Sequence, residues 1–291
     1  MISIVIPIGN LARDQKNLET TLGQTRVTAN LEIVVVFDFD EITENATHFS
    51  HSLQSQGIKV IISNARNPNG ARYDGYLASR GNWITFCDSD DEIYLDKLKS
   101  CSSDWITPGN LYVYSFAMDF LNDNVIISHH IRASEFNFIQ NPGLWRCVIS
   151  SDTLQENFFC NTLMGEDLVL LTGVILNSKG IKFSGDEIYK YNNYQPNRLS
   201  TLRLSDSYMV TVIRYSKLMI NNLNTINRNS LIASALFSSF LISSFINSGL
   251  KHKFQIVRTA VRALLTNWRL SFSVVLVFPL VILMKLKNRL T

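Results

Sequence analysis

Within the stretch Trp83-Ile84-Thr85-Phe86-Cys87-Asp88-Ser89-Asp90-Asp91, an apolar run empties into three carboxylates spaced over four residues. Carboxylates so close repel one another unless a cation neutralises them. A Mg²⁺ or Mn²⁺ ion held by one or two carboxylates and completed by substrate phosphates suits such a cluster. The run before it has the composition of a β-strand, and in open α/β sheets ligands bind beyond the carboxyl ends of strands. Capping a helix over residues 93–99 would use one aspartate, but not three.

A second acidic pair, Glu166-Asp167, follows Gly165 and precedes the apolar residues 168–176, where acids favour the first turn of a helix. Other candidate groups carry less. Five histidines show no ligand spacing with cysteine or with each other, and His129-His130 reads as part of a strand. Cys87, Cys101, Cys147 and Cys160 form no CxxC pair, which predicts small core residues of a reduced compartment. Trp105 and Trp145 are candidates for stacking on a sugar or for partly buried positions.

Positioning these groups requires a sheet. Short β-branched runs near 2–8, 31–37, 58–63 and 83–87 alternate with helix-length segments near 12–28, 42–56 and 70–80, the pattern of a parallel sheet with crossover helices. Asn67-Pro68-Asn69-Gly70 is a turn cluster suited to launching the third helix. From residue 111 the pattern changes. Residues 111–116 and 125–128 flank Leu121-Asn122-Asp123-Asn124, which predicts a hairpin and a mixed sheet. A helix over 166–178 and a strand or loop pair around 181–194 follow, and beyond Asp206 the pattern is helical throughout.

The 291 residues are 46% apolar and 18% charged, with 13 Gly and 6 Pro, which excludes a disordered, collagenous or low-complexity chain. Charge is unevenly spread: 16 Lys and Arg face 24 Asp and Glu up to Asp206, whereas residues 207–291 hold 11 basic and no acidic side chains. In that tail, 229–250 is uncharged but holds seven serines, and 270–284 is uncharged for 15 residues. Between them Phe254, Val257, Val261, Leu264, Leu265 and Trp268 share one helical stripe flanked by Lys251, Arg258, Arg262 and Arg269. This is the profile of a helix lying in a membrane interface, with arginines toward anionic headgroups. The interleaving of charge with apolar runs argues against a nucleic-acid partner. The first residues, Met-Ile-Ser-Ile-Val-Ile-Pro-Ile, lack the basic and small-residue segments of a secretory signal and read as a first strand, so an intracellular protein is expected.

Taken in order, these segments resemble the family 2 glycosyltransferases, inverting nucleotide-sugar enzymes with the A-type glycosyltransferase fold. The resemblance covers residues 1–200. It is carried by Ile4-Val5-Ile6-Pro7 with Asn10, by residues 32–38 ending on Asp38, and by Gly70-Ala71-Arg72-Tyr73-Asp74-Gly75. Asp88-Ser89-Asp90-Asp91, Gly165-Glu166-Asp167, and Tyr191 with Arg198-Leu199-Ser200 complete it.

The resemblance implies an α/β, Rossmann-like domain with a mixed central sheet over 1–206. Its 1–110 half would bind the nucleotide and its 111–206 half the acceptor, with residues 207–291 as a membrane-associated helical tail. Pro7, Asn10, Asp38, Arg72, Asp88, Asp91 and Arg198 would bind the nucleotide-sugar, and Asp90 with Asp88 would hold a divalent metal, Mg²⁺ or Mn²⁺. Asp167, aided by Glu166, would be the general base that activates an acceptor hydroxyl. The expected product is a glycan, with a lipid-linked acceptor at the inner face of the cell membrane, as in lipopolysaccharide or capsule synthesis. Gly9, Phe37 and Tyr73 depart from the family pattern, and Asp40 is an alternative to Asp38. Gly9 and Phe37 suggest the competing reading of a non-catalytic, membrane-associated nucleotide-sugar binding or scaffold protein. A sugar-phosphate nucleotidyltransferase would need a richer glycine loop than Gly9-Asn10-Leu11-Ala12-Arg13.

Overall fold

A computed structural model describes residues 1–23, 30–39, 43–104, 107–122, 125–162, 165–193, 205–248 and 250–290. The first half is a repeated strand–helix unit: β1 (Ile2–Ile8), α1 (Leu11–Gly23), β2 (Leu31–Phe37), α2 (Glu44–Ser55), β3 (Lys59–Ile62), α3 (Pro68–Ala78) and β4 (Trp83–Phe86). All four strands are parallel, in the order β3-β2-β1-β4, with Ile8 paired to Phe37 and Val5 to Phe86. β1, β2 and β4 are covered on both faces, as continuous apolar runs in a parallel sheet must be.

The predicted strands and helices of this half are present, with small shifts in their ends. The first helix is described over Leu11–Gly23, and positions 24–28 of the expected span lie outside the described residues. α3 begins as its sequence directs. The Asn67 side chain accepts from Gly70 N at 2.7 Å, and Pro68, which has no N–H to lose, opens the helix. Gly75 lets this helix lie on the sheet, because a Cβ there would sit 2.3 Å from Val5 Cγ1.

Beyond β4 the sheet becomes mixed. β5 (Glu92–Ile93) and α4 (Leu95–Ser100) precede β6 (Asn110–Asn122) and β7 (Val125–Ile131), the two arms of the expected hairpin. Then come α5 (Glu135–Gln140), β8 (Cys147–Ser150), α6 (Glu166–Asn177) and β9 (Gly180–Asn192). β8 runs antiparallel between β4 and β6, and β9 lies parallel to β6 on its other side. Two expectations are corrected. The strand or loop pair around 181–194 is one 13-residue strand. The helix expected from residue 93 starts at Leu95, after β5 has paired with β9. Its N-cap is Tyr94, with no side-chain cap bond, so none of the three aspartates caps it.

The tail is helical, as expected: α7 (Ser205–Asn222), α8 (Arg228–Asn247), α9 (Leu250–Thr266) and α10 (Trp268–Leu290). It adds to the core. One apolar cluster runs from Val5, Val36 and Phe86 of the sheet through Val169 and Leu170 of α6. From there it reaches Tyr215 of α7, Phe237 and Phe240 of α8, and Leu270 and Val277 of α10. α8 is the one described helix long and apolar enough to cross a membrane alone, yet most of it is buried inside the protein. α9 behaves differently. Ile256 and Ala263 face inward, while Phe254, Val257, Val261, Leu265 and the following Trp268 are exposed. The four cysteines are buried and form no disulfide, as their spacing predicts.

Candidate active site

A cavity of about 640 Å³ opens where β1, β2 and β4 end and α3 and α6 begin. Its wall includes Pro7, Asn10, Asp38, Arg72, Asp88, Asp90, Glu166 and Asp167. All the predicted site residues that are described therefore meet there except Asp91. Arg198 and Asp40 lie outside the described residues, as do Trp105, Leu199 and Ser200.

Each side chain is set by the element that carries it. Asn10 accepts Arg13 N on its side chain at 3.1 Å and Asp14 N on its carbonyl at 3.1 Å, so it starts α1 while lining the cavity. Asp38 follows β2 and accepts Arg66 N at 2.9 Å. That bond holds Arg66 at φ 58°, a left-handed conformation that a residue with a Cβ adopts at a cost. Phe37, one of the departures from the family pattern, is 2% exposed in β2.

Arg72 is the hub. It is 6% exposed and donates from Nη2 to Asp88 Oδ1 at 2.7 Å and from Nη1 to Glu166 Oε1 at 3.4 Å. Burial works against its charge, but Asp88, Glu166 and Asp167 outweigh that and hold the guanidinium firmly protonated. Its Nε is buried without a hydrogen-bond partner among the described residues. Asn69 Nδ2 donates to the Glu166 carbonyl at 3.2 Å, a second tie between α3 and α6. Gly165, at φ 73°, turns the chain into α6 where a Cβ would lie 2.6 Å from Phe240 Cε2.

The three clustered aspartates have divided their work. Asp88 pairs with Arg72, whereas Asp91, 1% exposed, accepts from Tyr189 Oη at 3.0 Å and from Asn192 N at 2.8 Å. The repulsion inferred from the sequence is thus relieved in large part by the protein itself. Asp91 thereby anchors the loop after β4 onto β9. Asp90 is half-buried on the cavity wall beside Ser89. No group of three or more His, Cys, Asp or Glu gathers as a metal site among the described residues. Asp90 with Asp88 nevertheless matches a divalent cation that takes one or two carboxylates and completes its shell with substrate phosphates.

Glu166 and Asp167 open α6 and diverge. Glu166 turns to Arg72, while Asp167 accepts Leu168 N at 2.8 Å at the cavity wall. Burial, with Asp167 adding and Arg72 opposing, pushes Glu166 up to about 7. Burial also raises Asp167, against the pull of Arg72. A carboxylate whose hold on a proton is raised is a better acceptor of one than an ordinary aspartate.

Several wall residues escaped the sequence reading. Arg13 is brought in by the first turn of α1, Arg66 by the loop before α3, and Phe39 by the residues after β2. Asp14, 1% exposed, accepts from Ser89 Oγ at 2.7 Å and holds the Asp88–Asp91 loop from the side of α1. On the opposite side Trp145 lines the cavity, stacked on Tyr189 at 4.7 Å and on Tyr191 at 5.3 Å. The i, i+2 spacing of Tyr189 and Tyr191 placed both rings on one strand face, but their meeting with Trp145 depends on β6 lying between β8 and β9.

A parallel sheet extended by antiparallel strands, with carboxylates at the end of its fourth strand, is the A-type glycosyltransferase architecture. The chain belongs to glycosyl transferase family 2, whose family model matches residues 3–160. Succinoglycan biosynthesis protein ExoO of Rhizobium meliloti (strain 1021) is 36% identical over 84 residues, which is 28% of this chain and 23% of that protein's length. Two solved structures share the fold over 99% of this chain. S. aureus TarS 1–349 in complex with UDP-GlcNAc has a TM-score of 0.69 at 16% identity, with 88% of its chain covered. The mannosyltransferase PcManGT from Pyrobaculum calidifontis, in complex with GDP-Man and Mn²⁺, has a TM-score of 0.52 at 12% identity, with 86% covered.

Proposed function

We propose that this chain is an inverting transferase that moves a sugar from a nucleotide-diphosphate sugar to a hydroxyl of a glycan acceptor. The observation that carries the reading is the convergence of Arg72, Asp88, Asp90 and Asp167 on one cavity, drawn from α3, the loop after β4 and α6. The nucleotide-sugars bound by TarS and PcManGT support the donor class, and the succinoglycan relative supports an acceptor that is a growing polysaccharide.

In this reading the donor diphosphate lies against Arg72 and the Asp88–Asp90 loop. Asp90 and Asp88 would hold Mg²⁺ or Mn²⁺, whose charge offsets that developing on the departing diphosphate. Asp167 accepts the proton of the acceptor hydroxyl as its oxygen bonds to the anomeric carbon from the face opposite the leaving group. The bond from that carbon to the diphosphate oxygen breaks, and the nucleoside diphosphate keeps the electron pair. One displacement inverts the centre. Arg72, held by Glu166, fixes Asp88 and keeps a positive charge near both the diphosphate and the base. Trp145 and Tyr191 offer a wall on which an acceptor sugar can stack.

The catalytic body spans residues 1–206, and residues 207–291 seat it on the inner face of the cell membrane. Exposed Phe254, Leu265 and Trp268, with basic side chains beside them and no acidic ones, support that placement. Calorimetric titration with UDP, GDP, CDP and dTDP, with and without Mn²⁺, tests the donor reading. Metal-dependent binding of one nucleotide is expected. Absence of binding by all four to a folded sample would replace it with the scaffold reading.

A further inference from the structure

The cavity has two unlike ends. β2, β1, β4 and β8 lie side by side, with neighbouring strands about 4.8 Å apart. Wall residues that follow β2 and those beside β8 therefore lie about 14 Å apart, three strand spacings. Asp38 and Phe39 stand at the β2 end, next to Gly9, because Ile8 of β1 pairs with Phe37 of β2. Trp145 stands at the β8 end, and Asp88 and Asp90, which follow β4, come between.

That order matches a donor laid across the strand ends. With the diphosphate at Asp88 and Asp90 and the reacting sugar toward Asp167, the nucleobase is left the β2 end. Among the described wall residues there, Phe39 carries the one aromatic ring. It is half-buried and stacks on the buried Phe37 at 5.0 Å with 30° between the ring planes, so it is fixed from behind while its outer surface lines the cavity. A Cβ on Gly9 would meet nothing within 4 Å, so the neighbouring strand end leaves open space beside the ring. A flat base and a pre-positioned flat ring stack at little entropic cost.

We propose that Phe39 is the residue on which the donor nucleobase stacks, an inference that rests on the nucleotide-sugar reading above. The Phe37–Phe39 pair then acts as a two-layer platform. Phe37 holds the ring in place and Phe39 meets the base.

The test uses the full chain, titrated with UDP, GDP, CDP and dTDP, and with inorganic pyrophosphate as a probe that has no base. Phe39→Ala is expected to weaken the bound nucleotide by about tenfold, the scale of one base–aromatic stack, and to leave pyrophosphate binding unchanged. Phe39→Leu keeps an apolar contact with Phe37, guards against a folding artefact, and is expected to lose several-fold on the nucleotide alone. Phe39→Trp should hold or tighten it, and adding Gly9→Phe to Phe39→Ala should recover part of the loss by placing a ring in the open space. Equal nucleotide affinity in wild type, Phe39→Ala and Phe39→Leu would overturn the proposal, as would a parallel loss of pyrophosphate. If the wild type binds pyrophosphate but none of the four nucleotides, the donor reading falls first and this inference falls with it.

Discussion

Arg72 of α3 and Glu166 of α6 stand 94 residues apart in the chain and 3.4 Å apart in the fold. Through this contact the helix that follows β3 and the helix that carries the proposed base share one buried charge network, which Asp88 joins at 2.7 Å. Removing one partner of a buried pair leaves the others uncompensated. Arg72→Ala should therefore lower stability by about 3 kcal/mol, read as a shift in urea midpoint at unchanged slope. A change below about 1 kcal/mol, the range of exposed pairs, would show that the network does not hold the two helices together.

The raised pKa of Glu166 gives stability a pH slope of definite sign. Its native value, about 7, exceeds its ordinary 4.5, so through that interval the folded protein binds more protons than the unfolded chain. The contribution is full below the unfolded value and is lost as pH rises through the folded one. Denaturation midpoints should fall across this interval, and Glu166→Gln should flatten the slope. A midpoint that rises over the same range in wild type would place Glu166 in a different electrostatic setting.

Asp91 and Asp90 are adjacent in sequence but face different tasks. Asp91→Ala strands Tyr189 Oη and Asn192 N in the interior and should cost about 2 kcal/mol of stability. Asp90→Asn should leave the thermal midpoint near wild type and abolish the metal dependence of nucleotide binding. Thermal melts paired with titrations separate the two. Unchanged metal dependence in Asp90→Asn would remove it from the proposed metal site.

Membrane seating predicts a response that folding does not share. Phe254→Glu with Leu265→Glu, both at exposed positions, should abolish co-flotation with vesicles containing anionic phosphatidylglycerol and leave the melting curve unchanged. Arg258→Gln with Arg262→Gln should weaken it by about 1 kcal/mol per charge and reduce its salt sensitivity. Full flotation of the glutamate variant would mean that this face meets something other than lipid.

Local signals were readable in the sequence wherever a few consecutive residues decide the structure. The apolar runs of β1, β2 and β4, the Asn67-Pro68 start of α3 and the acidic start of α6 all folded as their patterns direct. The four-residue strand β8 escaped because Cys-Val-Ile-Ser is short and carries no alternation. Its position between β4 and β6 is a tertiary fact, and with it come Trp145 and the reversal of direction in the sheet. Likewise the identity of Asp91 was legible but its orientation was not, since its partners Tyr189 and Asn192 lie about a hundred residues downstream. The stripe on α9 was visible as a pattern, and only packing could decide that Ile256 and Ala263 face the protein while Phe254 and Leu265 face outward.

The central claim is that Asp167 takes the acceptor's proton in a donor site built by other residues. Once donor and acceptor are found, the most direct measurement is transfer rate and donor affinity for Asp167→Asn, side by side. Asparagine keeps the size of the side chain and its bond to Leu168 N, so donor affinity should stay within about threefold while transfer falls by about a hundredfold or more. Transfer at the wild-type rate, or loss of donor binding in a folded variant, would contradict that assignment.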